Sequence, residues 1–335
     1  MTELHPSRRG VLKAFGGTAA ALALGGAGVV AAASSASAVG DGFGLQIIDS
    51  NESDPRLKYY RFKTAEIGWP TGPGVNVVVP ADYATSGKRY PVLYLLHGGG
   101  EGNDFRWWDT FADIRTLSAG RDLIIVMPDG GYAGWYCNPV SSFIGPRNWE
   151  SFHMNQLVPW IDANFRTHAE FAGRAVAGFS MGGFGALKYT AKYYGHFSSV
   201  SAYSGPADMR GYNGLLTHWA NFSSMHDLAG GMVYGAPWAE ARVSADNPME
   251  NIERYRGKRI FLSAGDSTQV TVTLPFFNEI TEAKVLQSQK DFGAKLDQAG
   301  IPYELKPMIG EGHAIHTWIV AADIEAIVAH LRPAE

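Results

Sequence analysis

Short, continuous apolar runs recur along this chain and are separated by segments of helical periodicity. Runs that are apolar on both faces are typical of strands buried within a sheet that is covered on both sides. Seven such runs predict strands, at residues 75–80, 90–98, 122–130, 173–180, 197–205, 258–266 and 301–308.

Helical patterns lie between and after these runs, at residues 105–118, 148–165, 182–195, 280–299 and 316–331. The alternation of strand and helix predicts an α/β fold with a mostly parallel central sheet and helices on both faces. Residues 206–257 lack a clear strand pattern. We expect them to form a helical and loop excursion over the active site, where a substrate could be shaped.

The first 38 residues carry a targeting pattern. Arg8 and Arg9 precede an Ala- and Gly-rich apolar run, and small residues follow at 36–38. This predicts a twin-arginine export signal cut after Ala38, which leaves residues 39–335 as one secreted domain, extracellular or in the cell wall. The alternative, an N-terminal membrane anchor, is disfavoured because the run is poor in large apolar residues. No integral membrane segment is expected after cleavage.

Charge and cysteine content narrow the function classes. The formal net charge is −4, and loss of the basic N-terminal segment makes it more negative, which argues against a nucleic-acid or anionic-membrane partner. Cys137 is the only cysteine, so the chain has no internal disulfide. No Cys/His cluster has zinc spacing, and neither a metal nor a cofactor is expected.

One short motif suggests nucleophilic catalysis. Ser180 lies in the sequence GFSMG, after a strand pattern and before a helical one. With 40 glycines in the chain the motif alone is weak, but strand–turn–helix is the context of a nucleophile elbow. A serine hydroxyl also needs a base, an orienting acid and donors for the oxyanion. After the last predicted strand, GEGHAIHTW offers His313 and His316 as the base.

Several longer segments follow one another in a familiar order: PVLYLLHGGGEGNDF, IIVMPDGG, NWESFHMNQLVPWID, GFSMGGFGAL and HTW. Together they resemble the esterase D and mycolyltransferase family, an α/β-hydrolase group that includes S-formylglutathione hydrolases and many feruloyl esterases. The resemblance covers nearly all of residues 55–331 and is strongest to the secreted, antigen 85-type mycolyltransferases. It implies an α/β-hydrolase fold.

The resemblance also implies roles for individual residues. It makes Ser180 the nucleophile, and it selects His316 as the base and leaves His313 as a loop residue that forms hydrogen bonds. The remaining assignments are the acid Glu282, the oxyanion donors Gly99 and Met181, and the substrate contacts His97, Gly100 and Trp318.

The acid has two competitors. Asp266 is the last residue of the strand pattern at 258–266. The end of this strand is the usual place for the acid in α/β hydrolases, so fold geometry alone favours Asp266. Glu279 lies three residues before Glu282, so the two could share a helix face. Similarity to the family selects Glu282.

The expected function is a secreted serine carboxylic-ester hydrolase that forms an acyl-enzyme on Ser180. Its substrate would be a small-molecule, lipid or carbohydrate ester. The first alternative is an acyltransferase, similar to mycolyltransferases, that moves the acyl group to a sugar or lipid alcohol. A further alternative is a non-catalytic binding protein on the same fold, but such a protein would be expected to have lost a catalytic residue.

Overall fold

The computed structural model describes residues 39–335 except 69–70, 101, 227–230 and 273–278. The described residues belong to a single compact unit. The predicted export signal, residues 1–38, lies outside the described residues. No helix among the described residues is long and apolar enough to cross a membrane.

Eleven strands are found in the described residues: β1 Gln46–Asn51, β2 Leu57–Lys63, β3 Gly74–Val78, β4 Val92–Leu96, β5 Ile124–Pro128, β6 Arg174–Phe179, β7 Ser199–Tyr203, β8 Arg259–Gly265, β9 Val270–Val272, β10 Ile280–Thr281 and β11 Glu304–Met308. All seven strands predicted from the apolar runs are present. The sequence patterns missed β1, β2, β9 and β10. Strands β1 and β2 form one end of the main sheet, and the residues of β1 are mostly exposed.

The main sheet has nine strands in the order β1-β2-β3-β5-β4-β6-β7-β8-β11, and β9 and β10 pair separately. Pairing is antiparallel from β1 to β5 and parallel from β5 to β11. This is the expected α/β-hydrolase fold. The carboxyl ends of the parallel strands meet at one edge, where open α/β sheets bind their ligands.

The helices match the predicted segments within a few residues. The described residues contain α1 Trp107–Ala112, α2 Ile114–Leu117, α3 Trp149–Ser151, α4 Val158–Asn164, α5 Met181–Lys192, α6 Gly211–His226, α7 Glu240–Asp246, α8 Glu282–Gln298 and α9 Thr317–His330. A π-helical turn, Phe152–Leu157, joins α3 to α4. The described residues of the excursion, 206–257, contain α6 and α7 and no strand, as expected.

Side chains of each central strand alternate between two apolar layers. In β6, Val176 packs into the layer that also holds Phe184 of α5, whereas Ala175 and Ala177 pack into the layer under Ile319 of α9. Because both faces of the strand are buried, its sequence is apolar after the first residue, Arg174. The two layers hold the carboxyl ends of β4, β6 and β8 rigidly in place.

Candidate active site

Ser180 occupies a strained turn at the carboxyl end of β6. Its backbone has φ 55° and ψ −118°, and α5 begins at the next residue, Met181. Its N–H donates to the carbonyl of Tyr203 on β7 over 2.8 Å. A non-glycine residue with positive φ is costly, and such residues cluster at functional sites. The turn therefore has the strand–turn–helix geometry of a nucleophile elbow, which is the context that the motif predicted.

Two glycines allow this turn to form. A Cβ on Gly178 would lie 2.3 Å from the backbone of Gly182. A Cβ on Gly182 would lie 2.4 Å from the carbonyl oxygen of Leu96 and 2.6 Å from that of His97. Neither position has room for a larger residue, so the two glycines let α5 pack closely against β6 and β4.

Ser180 is the first member of a hydrogen-bonded chain of three side chains. His313 Nε2 lies 2.8 Å from Ser180 Oγ, and His313 Nδ1 lies 2.6 Å from Glu282 Oε2. The ring of His313 packs on the ring of Phe179, with centroids 4.9 Å apart. A carboxylate that accepts from Nδ1–H leaves Nε2 free to accept the serine proton. The geometry is that of a Ser-His-acid triad.

The carboxylate of Glu282 is fully buried and held from several directions. Glu282 is the first residue of α8, whose preceding residue Thr281 caps the helix by accepting from the N–H of Lys284. Its second oxygen, Oε1, accepts from the N–H of Gly265 at the end of β8 over 3.2 Å. An acidic side chain in the first turn of a helix interacts favourably with the positive end of the helix dipole. The structure thus brings together Ser180 and Glu282, which the sequence proposed as a pair.

The structure contradicts the choice of His316 as the base. The sequence selected His316, but the structure places His313 between Ser180 and Glu282. His316 precedes the first residue of α9, and its Nε2 lies 3.4 Å from Glu311 Oε2. Both histidines lie in the same loop after β11, three residues apart, so only the path of that loop decides which ring reaches the serine.

Within the described part of the chain, the carboxylate that pairs with His313 is that of Glu282, and neither competitor forms an ion pair with this ring. Asp266 Oδ1 accepts from the N–H of Gly310 over 2.7 Å, which ties the end of β8 to the loop that carries His313. Glu279 is exposed, three residues before the acid. Asp266 therefore supports the loop without touching the triad.

The predicted oxyanion donors lie side by side. A Cβ on Gly99 would lie 3.6 Å from Met181 Cβ, and a Cβ on Gly98 would lie 3.4 Å from Ser180 Cβ. Met181 is the first residue of α5, so its N–H has no partner within the helix. The loop after β4 thus runs beside the elbow, where its N–H groups and that of Met181 can share one substrate oxygen.

His97 does not line the site, contrary to its predicted role as a substrate contact. Its side chain is 1% exposed. Gly130 N–H donates to Nε2 over 2.9 Å, so the proton is on Nδ1, which donates to the Gly98 carbonyl over 2.8 Å. In a trans peptide the C=O and the following N–H point in opposite directions. The His97 ring holds the Gly98 carbonyl toward it, so the Gly99 N–H of the same peptide points away from the His97 ring.

The other two predicted substrate contacts lie at the surface. Gly100 is exposed and has φ 123°, and its N–H donates to the carbonyl of Tyr132 over 2.8 Å. Trp318 is 51% exposed, and Lys306 Nζ lies 4.7 Å from its ring centroid. Gly100 therefore joins the loop after β4, called the oxyanion loop below, to the loop after β5. Trp318, near the start of α9, packs against Lys306 of β11.

A pocket of about 260 Å³ adjoins the oxyanion loop. Its walls combine charged side chains, among them Arg61, Asp104 and Asp129, with the aromatic side chains of Phe105 and Trp149. Tyr132, whose carbonyl accepts from Gly100, also lines it. Its lining of aromatic and polar groups is typical of small-molecule sites.

Comparison with known proteins agrees with the fold and shows the family. A family model described as "Putative esterase" matches residues 66–327. Esterase Rv1288 of Mycobacterium tuberculosis is 62% identical over 296 residues, which cover 88% of this chain and 63% of that protein. This chain therefore spans less than two thirds of the length of that relative.

More distant matches include a protein that is named as an acyltransferase. The diacylglycerol acyltransferase/mycolyltransferase Ag85A of Mycobacterium tuberculosis is 31% identical over 142 residues, 41% of each chain. The crystal structure of MPT51 from the same organism superposes with a TM-score of 0.61 at 18% identity, covering 80% of this chain and 98% of that one. The last match bears on the fold alone.

Proposed function

The chain belongs to this esterase family, and on that premise we propose that it is a serine carboxylic-ester hydrolase that forms an acyl-enzyme on Ser180. The observation that carries the proposal is the unbroken chain from Ser180 Oγ through His313 to the buried Glu282. A non-catalytic binding protein on this fold would have no reason to keep three such groups aligned beside two backbone donors.

In the acylation step, Ser180 Oγ attacks the ester carbonyl carbon while His313 Nε2 takes the hydroxyl proton. The carbonyl oxygen becomes an oxyanion, which accepts from the N–H groups of Gly99 and Met181. Glu282 holds the imidazole with its proton on Nδ1 and stabilises the imidazolium that forms. When the carbon–alkoxy bond breaks, Nε2–H protonates the leaving alcohol.

Deacylation repeats these steps with water. His313 Nε2 takes a proton from the water as its oxygen attacks the acyl carbon, and returns a proton to Ser180 Oγ as the carboxylic acid leaves. If an alcohol takes the place of water, the same site transfers the acyl group. The similarity to Ag85A, named as an acyltransferase, is the observation that favours this second candidate.

We propose that the pocket beside the oxyanion loop binds either the acyl group or the alcohol group of the ester substrate. Its volume of about 260 Å³ suits a group of modest size, and its charged and aromatic walls suit a polar as well as a flat substituent. The substrate class is accordingly a small-molecule, lipid or carbohydrate ester.

An ester panel with and without alcohols tests the function. We expect the protein to cleave p-nitrophenyl and glycerol esters to free acid, and expect trehalose or glycerol to add at most minor ester products. Chromatography of the acyl products separates hydrolysis from transfer. Predominant transfer products would replace the hydrolase by the acyltransferase, and failure to cleave any ester would refute both.

Glu282→Gln is expected to lower kcat by about 10²- to 10⁴-fold, since an amide can hold the imidazole but cannot stabilise its charge. The matched control is Asp266→Asn, an equivalent change next to the site. Because the Asp266 carboxylate accepts from the backbone N–H of Gly310 and so holds the loop, its loss is expected to lower the melting temperature more than kcat. A large loss of kcat in Asp266→Asn, with an unchanged melting temperature, would show that Asp266 is the acid.

The export signal over residues 1–38 stays a prediction. Identification of Val39 as the N-terminus of secreted protein would establish both the export and the cut after Ala38.

A further inference from the structure

Two consecutive aromatic residues near the site have unusual backbone conformations. Trp135 and Tyr136 have φ of 51° and 55°, in the left-handed region that bulky residues rarely adopt. Both side chains are buried. A strained pair of this kind persists only where the surrounding contacts hold it in place.

The pair contacts both halves of the oxyanion hole. The N–H of Trp135 donates to Met181 Sδ over 3.2 Å, and the hydroxyl of Tyr136 donates to the carbonyl of His97 over 2.9 Å. Met181 supplies one donor, and His97 lies two residues before the other, Gly99. One short segment therefore reaches both sides of the position where the substrate oxygen would sit.

The bond to the His97 carbonyl bears on the direction of the loop. This carbonyl and the Gly98 N–H belong to one planar peptide and point in opposite directions. The Tyr136 hydroxyl fixes the His97 carbonyl, and the His97 ring fixes the Gly98 carbonyl. These two bonds orient two successive peptide planes, 97–98 and 98–99. The Gly99 N–H is thereby set before any substrate arrives. Such preorganised donors are worth more than donors that must turn during the reaction.

Tyr136 is itself anchored. Lys188 Nζ, fully buried on α5, donates to the Tyr136 carbonyl over 2.8 Å. Glu150 and Asp246 lie 2.6 and 3.3 Å from the same Nζ and balance its charge. A Cβ on Gly130 or Gly185 would lie within 2.7 Å of the Tyr136 ring, so the ring is tightly enclosed. Burial raises the pKa of Tyr136, which keeps its hydroxyl protonated and able to donate.

We propose that Tyr136 is a positioning residue for the oxyanion hole, acting through its hydroxyl bond to the His97 carbonyl. The proposal rests on the proposed serine-hydrolase function. Tyr136 touches no reacting atom, so its effect is confined to interactions that strengthen as the tetrahedral intermediate forms.

Tyr136→Phe removes the hydroxyl and keeps the ring. We expect kcat to fall by about ten- to a hundredfold, less than the 10²- to 10³-fold typical of losing a donor itself, with KM changed by less than about twofold. An alkyl boronic acid, whose tetrahedral adduct on Ser180 places an oxygen in the hole, is expected to bind more weakly by a similar factor. A merely structural role would not move inhibitor affinity and kcat together.

Tyr255→Phe is the matched control. The hydroxyl of Tyr255 is also buried and donates to a backbone carbonyl, that of Leu187 on α5, over 2.9 Å. We expect this variant to lose a comparable amount of thermal stability and to retain wild-type kcat and boronate affinity.

Three outcomes would overturn the inference: wild-type kcat in Tyr136→Phe, equal losses of kcat in both tyrosine variants, or a loss confined to KM. If Tyr136→Phe does not fold, 4-fluorophenylalanine incorporated at position 136 is the second variant, because its fluorine fills the space of the hydroxyl and cannot donate to the His97 carbonyl. Undiminished kcat and boronate affinity in that variant would count equally against the inference. If the wild type cleaves no ester, the proposed function is refuted and the inference fails with it. If the wild type is active, the tyrosine variants test the role of Tyr136 alone.

Discussion

Ser180→Ala is expected to reduce kcat for ester cleavage by about 10⁴- to 10⁶-fold while the fold remains intact. In the proposed mechanism Ser180 Oγ forms the covalent bond to the acyl group, whereas His313 and Glu282 move or stabilise a proton. Steady-state kinetics on a p-nitrophenyl ester, with circular dichroism to check folding, measures the effect.

Ser204 provides a closely matched control. It lies at the end of the neighbouring strand β7, is buried, and also has a positive φ of 49°. Its Oγ is 3.5 Å from the carbonyl of Ala314. We expect Ser204→Ala to keep kcat within severalfold of the wild type. A fluorophosphonate probe should label the wild type once, at Ser180. Labelling of another serine, or unimpaired turnover by Ser180→Ala, would refute the nucleophile assignment.

His313→Ala is expected to lower kcat nearly as far as the serine variant, by about 10⁴- to 10⁶-fold, because without an acceptor 2.8 Å from Ser180 Oγ the hydroxyl is not activated. His316→Ala, three residues further along the same loop, is expected to change kcat by less than about tenfold. The two variants are compared on one substrate, at saturating concentration and across pH.

Which of the two histidine variants loses more kcat tests the path of the loop after β11. Imidazole in the buffer should restore part of the activity of His313→Ala, since the substitution leaves a space of that shape. If His316→Ala were the more damaged variant, the base would be His316, as the resemblance to the family implied, and the loop after β11 would have to rearrange when substrate binds.

Much of the molecule was determined by the sequence itself. Apolar runs located seven strands of the main sheet. Six of them are buried on both faces, whereas β11 lies partly exposed at the edge of the sheet. Helical periodicity located the helices that cover the sheet. Ser180 was recognisable because an elbow needs small residues at fixed offsets from the nucleophile. Glu282 required the family resemblance as well, since strand-end geometry alone favoured Asp266.

The remainder depended on tertiary contacts. The edge strands β1 and β2 carry too little apolar pattern to be found, since the side chains of β1 are largely exposed. His97 is a polar residue in a glycine-rich loop, and nothing local distinguishes a ring that faces the substrate from one buried under the loop. His313 and His316 have the same chemistry and nearly the same position along the chain. The sequence determined which residue types the chemistry could use, but the folding of the loop after β11 against β6 and α8 decided which histidine meets Ser180, because that contact joins residues 133 positions apart.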